Sequence, residues 1–144
     1  MKIMWLTMMT QVLSLSQSEK DIKTSGGWIA ATAKNLEEFD DVEKFIIISI
    51  NRDIKEEKKV VDGKKTVYFV RANQVSQGRD KALEEKLSKI IAEEKPDVID
   101  VQGTEFSFGE SLVNCNVKCP VCVTLQGLAG ACADVYVKGM PFKE

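Results

Sequence analysis

Asp100, Gln102, Thr104 and Glu105 crowd into one segment, Pro96 to Gly109, which reads PDVIDVQGTEFSFG, and Gln126 with Gly127 repeats part of that pattern further on. Val98, Ile99 and Val101 make an apolar run of strand length, Gln102-Gly103-Thr104 ends it, and Phe106, Leu112 and Val113 recur at roughly helical spacing. The segment therefore reads as strand, tight turn, helix. At such a junction the first-turn N–H groups lack an internal partner and point, with the positive dipole end, into the space above the strand. Thr104 is placed to cap that helix through its hydroxyl. Glu105 falls in the first turn, where the dipole stabilises a carboxylate by about 0.3 to 1 kcal/mol without any functional role. Alternation puts Val98, Asp100 and Gln102 on one face of the strand and Ile99 with Val101 on the other. Polar side chains at the carboxyl end of an apolar strand cost free energy when unpaired, so Asp100 and Gln102 call for a partner or a ligand. Asp100 and Glu105 also have the makings of a hydrolase carboxylate pair, although no nucleophile motif accompanies them.

Composition narrows the chemistry. The chain has 144 residues, 20 basic against 22 acidic for a net charge of -2, and no histidine. Histidine general-base chemistry, histidine-activated nucleophiles and most zinc catalysis are thereby excluded within this sequence. No basic stripe extends beyond Lys58-Lys59 and Lys64-Lys65, so nucleic acid is not expected as a partner. Cys119-Pro120-Val121-Cys122 has zinc-knuckle spacing, but Cys115 and Cys132 do not form a second close pair. Cys122 lies in the apolar run Val121 to Leu125, where a free thiol serves as a small hydrophobe, and reduced cysteines fit a cytoplasmic protein. Lys2 and the apolar residues through Leu15 imitate a signal peptide, yet Thr7, Thr10 and Gln11 interrupt them and no small-residue cleavage site follows. No stretch approaches the ~20 apolar residues that span a bilayer.

The elements that must position these residues can be read in order. Lys2 to Thr7 is a compact apolar run suited to a central strand covered on both faces. Met8 to Ser25 is polar and loop-like, Gly26-Gly27 ends it, and Ile29, Ala33 and Leu36, with Phe39 beyond, mark a helix stripe. Gly26 and Gly27 let a backbone approach a phosphate or sugar closely, and serve equally as a plain turn. Lys44 to Ile50 is a second buried strand. Val60-Val61, Asp62-Gly63 and Thr66 to Val70 read as a hairpin closed by a type I′ turn, with the lysines as a solvated edge. Leu83, Leu87, Ile90 and Ile91 define a helix capped by Asp80 and stopped before Pro96, with Glu84, Glu85, Lys86 and Lys89 on its wet side. Glu105 to Asn114 is expected to be a short helix, Val121 to Leu125 a strand, and Leu128 to Glu144 loop and partial helix. Strands alternating with helices predict an α/β, Rossmann-like three-layer domain with a mostly parallel sheet and helices on both faces. The loops after Thr7, Gln102 and Gln126 then emerge at one edge of the sheet.

MKIMWLT, Gly26-Gly27-Trp28, KPDVIDVQGTEF and PVCVTLQGL, in that order, resemble the amino-terminal half of a family 4 retaining glycosyltransferase of the GT-B architecture. In that family two Rossmann-like lobes face each other across a cleft. The first binds the acceptor and the second the nucleotide sugar. The resemblance implies that Gly26 and Gly27 line the cleft near the donor phosphates, that Thr104 and Glu105 face the acceptor, and that Gln126 contacts the transferred sugar, with Asp100, Gln102 and Gly127 beside them. It implies no metal and no cofactor beyond the nucleotide-sugar substrate. Its partners would be that donor, a glycan or glycolipid acceptor and the chain's own carboxy-terminal lobe. Peripheral membrane association of the full-length protein and a part in polysaccharide biosynthesis are further implications. Many members carry histidine where Asp100, Gln102 and Gln126 stand; Gln126 can hydrogen-bond to hydroxyls but cannot take a proton. The family's paired donor-holding glutamates belong to the second lobe, so residues 1–144 are expected to be a truncated first lobe that transfers no sugar alone. The alternative is a non-enzymatic Rossmann-like or flavodoxin-like module holding a small ligand or a partner, although G-x-G-x-x-G does not follow the first strand.

Overall fold

The structure, a computed structural model, describes residues 1–8, 27–73, 79–103 and 106–125. Their elements run β1 (Lys2–Thr7), α1 (Gly27–Glu38), β2 (Lys44–Asn51), β3 (Lys58–Asp62), β4 (Lys65–Arg71), α2 (Lys81–Glu94), β5 (Val98–Gln102), α3 (Phe108–Val113) and β6 (Val121–Thr124). The strands form one sheet in the order β3-β4-β2-β1-β5-β6, and only the β3–β4 pair is antiparallel. The architecture is α/β with a mostly parallel sheet, consistent with a Rossmann-like fold.

Hydrophobic runs dictate which strands lie at the centre. Phe45 through Ile50 are all buried, as a strand covered on both faces requires. Ile46, Ile48 and Ile50 join Met4, Leu6, Ile99 and Val101 beneath α2 and α3, where Leu83, Leu87, Phe108 and Leu112 pack. Phe45 and Ile47 face the other way, with Ile3, Trp5 and Ala33 of α1. Trp5 meets Phe45 edge-to-face with ring centroids 4.8 Å apart. Each such side chain contributes about 1.5–3 kcal/mol through burial. The two-sided layering follows from chain direction: β1 to β2 steps one way along the sheet, while β4 to β5 and β5 to β6 step the other way. Right-handed crossovers then put α1 on one face and α2 with α3 on the opposite one.

Several boundaries depart from the expectations. Asp62 pairs with Lys65, leaving Gly63-Lys64 as the two-residue loop, and Gly63 alone has positive φ, at 56°. Type I′ needs positive φ at both loop positions, so the turn is of the II′ kind, with glycine first. α3 begins at Phe108, not Glu105, with Ser107 in the capping position. Phe106 precedes that helix, half-buried and stacked on Phe108 at 5.5 Å. Phe39 and Val113, placed on apolar stripes by spacing, are 61% and 84% exposed. α2 starts as predicted, the Asp80 carboxylate accepting from the Leu83 N–H at 3.1 Å. It ends at Lys95, left-handed at φ 50°, whose N–H bonds the Ile91 carbonyl ahead of Pro96.

Candidate functional site

The strand order reverses at β1, because β2 lies on one side of it and β5 on the other. In open α/β sheets the crevice beyond the carboxyl ends of the strands at such a switch point is where ligands bind. Four polar residues meet there in one row across the sheet. Thr7 pairs in register with Ser49, Gln102 pairs with Thr124, and the register Leu6↔Val101 continues to set Thr7 beside Gln102. Registered neighbours share a face, so all four lie on the face that carries α1. Ser49, Thr7 and Gln102 are buried, at 0%, 1% and 2% exposure.

Burial of hydrogen-bonding groups is expensive unless each finds a partner, and the bonds around Gln102 can be traced atom by atom. Its Nε2 donates to Asp100 Oδ2. The Thr124 hydroxyl lies 3.0 and 3.1 Å from the two Asp100 oxygens, so that Asp100 collects donors from its own strand and from β6. The carboxylate decides which end of the amide faces it, since an oxygen there would repel. The other end, Gln102 Oε1, is then a buried acceptor without a hydrogen-bond partner among the described residues. Burial pushes the Asp100 carboxyl above the usual range, against the Thr124 and Gln102 bonds that favour the charged form. Gly103 turns the chain away at φ 99°, its N–H held by the Thr124 carbonyl at 2.9 Å. That conformation suits glycine.

Asp100 and Gln102 therefore come together, on the predicted face. Gly27 is the first residue of α1. Gly26, Thr104, Glu105, Gln126 and Gly127 lie outside the described residues, as do the Met8 to Ser25 loop after Met8, Cys132 and the tail after Leu125. Sequence reasoning missed Ser49 and Thr124. Ser49 carried a signal, as the one polar residue in the run Phe45 to Ile50; Thr124 gains its meaning only from the β5–β6 register.

The cysteines separate by environment. Cys115 is buried, Cys119 half-buried and Cys122 exposed, so Cys122 is not the packed hydrophobe its apolar neighbours suggested. It lies on an edge strand whose Val121 and Val123 are also exposed among the described residues. Among those residues no three of His, Cys, Asp and Glu converge as a metal site. No described helix is long and apolar enough to cross a membrane.

No protein-family model matches the chain, and a search of curated proteins finds no match, so the likeness to glycosyltransferases rests on the quoted motifs alone.

Proposed function

We propose that the crevice at the ends of β1, β5 and β6 binds a sugar, and that the chain is the acceptor-side lobe of a retaining, GT-B glycosyltransferase. The observation that carries this reading is the buried, unpartnered Oε1 of Gln102 at the switch point. An acceptor left without a donor in a dry site costs about 1–3 kcal/mol, which a ligand O–H or N–H recovers. Sugar hydroxyls donate and accept at close spacing, and they match a row of hydroxyl, amide and carboxylate side chains. Asp100, with its raised affinity for a proton, can accept from one ligand hydroxyl while Gln102 accepts from its neighbour. Transfer itself would fall to a second lobe holding the nucleotide sugar, with this lobe orienting the acceptor and stabilising charge as the sugar departs.

A non-enzymatic sugar- or polyol-binding module is the second reading. Thr7, Ser49, Gln102 and Thr124 form hydrogen bonds but do not exchange protons at neutral pH, and that suits binding without chemistry. The full-length protein, given nucleotide sugars and a saccharide acceptor, separates the two by NMR of the product linkage. Transfer with retained anomeric configuration, lost in Gln102→Met, is the expected result. Saccharide binding without transfer from any nucleotide sugar would leave the module, and inversion would overturn the retaining assignment.

A further inference from the structure

A hollow opens at the amino-terminal end of the sheet, between the close of α2, the segment after α3 and the starts of β5 and β6. It has a volume of about 690 Å³, within the ~300–1,000 Å³ of small-molecule sites. Ile91, Ala92, Pro96, Pro120, Cys115 and Cys119 give it a mainly apolar wall. Two prolines hold parts of that wall at fixed φ, so the hollow is preformed to that extent. Its charged groups are Lys95, Lys118 and Asp97. Asp97 is already engaged, its Oδ2 accepting from the Lys2 backbone N–H at 2.6 Å. Neither Lys95 nor Lys118 has a salt-bridge partner among the described residues. The lining thus carries one cation more than it has anions.

We infer that this hollow is a binding site for a small amphipathic carboxylate, its hydrocarbon body against the apolar wall and its carboxylate held by Lys95 and Lys118. The apolar wall supplies affinity without direction, and the two ammonium groups supply polarity. The opposing influence is the carboxyl end of α2, whose carbonyl dipoles, with Asp97, favour a cation. The inference is independent of the sugar-binding crevice.

Octanoate, 1-octanol and octylamine, matched in body and different in head group, test it by amide NMR titration of the 144-residue chain. Octanoate should bind saturably, shifting Ala92, Lys95, Cys115 and Lys118, and should slow iodoacetamide alkylation of Cys119. Octanol should bind at least about tenfold more weakly, and Lys118→Glu or Lys95→Glu should weaken octanoate by about tenfold, the effect of one charge-assisted contact. Both lysines are exposed, so an unchanged circular dichroism spectrum shows that these variants remain folded. Equal binding of octanol and octanoate would reduce the hollow to an apolar trap and overturn the inference. Preference for octylamine, or shifts that fail to saturate, would overturn it as well.

Discussion

Replacing Glu94 with glutamine should destabilise the protein by about 2 kcal/mol at neutral pH, and the loss should fade in acid. The Glu94 side chain is 4% exposed at the end of α2, where it accepts from Lys44 and Lys59 Nζ and from the Tyr68 hydroxyl. Burial alone would raise its pKa, but the three donors outweigh burial and hold the carboxyl at about 2, against an ordinary 4.5. At about 1.36 kcal/mol per unit, that difference sets an upper bound near 3 kcal/mol. Lys44 and Lys59 are 32% and 38% exposed, so water screens part of the attraction and the expected loss falls to about 2. The sign follows from a depressed pKa: the stabilisation is complete above about 4.5 and disappears as pH falls towards about 2. Tyr68 and Lys59 behave consistently. Burial and the Glu94 bond raise the Tyr68 pKa, and the Glu93 and Tyr68 bonds raise that of Lys59. Urea denaturation of both proteins across this pH range reads the difference directly. A variant within about 0.5 kcal/mol of the parent at pH 7, the usual scatter of surface substitutions, or a deficit independent of pH, would refute the reasoning.

Asp80→Ala removes the cap from the Leu83 N–H and also the acceptor for the Asn73 N–H at 2.6 Å, so a loss of about 1–2 kcal/mol is expected in the same denaturation assay. At Gly63 an added Cβ would meet nothing within 4 Å, but φ is +56°; β-branched Gly63→Val should therefore cost more than Gly63→Asn, a residue type found with glycine in primed turns, and equal stability would count against the turn assignment. Peptide mapping after timed alkylation should find Cys122 modified well before Cys115, which is buried with its thiol pKa raised by desolvation.

Where a residue's neighbours are local, the sequence already disclosed its role. Apolar runs at Lys2 to Thr7 and Lys44 to Ile50 marked central strands because burial on both faces leaves no room for alternation. Asp80 marked a helix start because its hydrogen bond closes within three residues. Spacing puts Glu84 on the wet side of its helix, yet it is buried, and so is Glu94. Their partners explain why. Lys44, Lys59 and Tyr68 stand 50, 35 and 26 residues from Glu94, while Glu84 binds Arg79 at 2.8 and 2.9 Å and Asn114 at 2.9 Å. Propensity and spacing carry no record of the Glu94 pairings, which exist only once the sheet has assembled, or of the Asn114 contact, which needs α3 beside α2; Arg79, five residues from Glu84, is the one partner near in sequence. The candidate site divides similarly: strand alternation foretold the shared face of Asp100 and Gln102, but the row through Thr7, Ser49 and Thr124 depends on register between strands distant in the chain.

The claim on which the functional account rests is that the switch-point crevice takes a hydroxyl-bearing ligand through Gln102. Amide NMR of the chain titrated with neutral disaccharides, for the parent and for Gln102→Met, tests it most directly. Methionine removes the unsatisfied Oε1 and one donor to Asp100, changes that oppose each other, so the variant should stay within about 1 kcal/mol of parental stability. The account predicts saturable shifts gathered at Thr7, Ser49, Gln102 and Thr124 in the parent and their loss in the variant. Disaccharide binding undiminished in Gln102→Met, or shifts clustered at the amino-terminal end of the sheet, would contradict it.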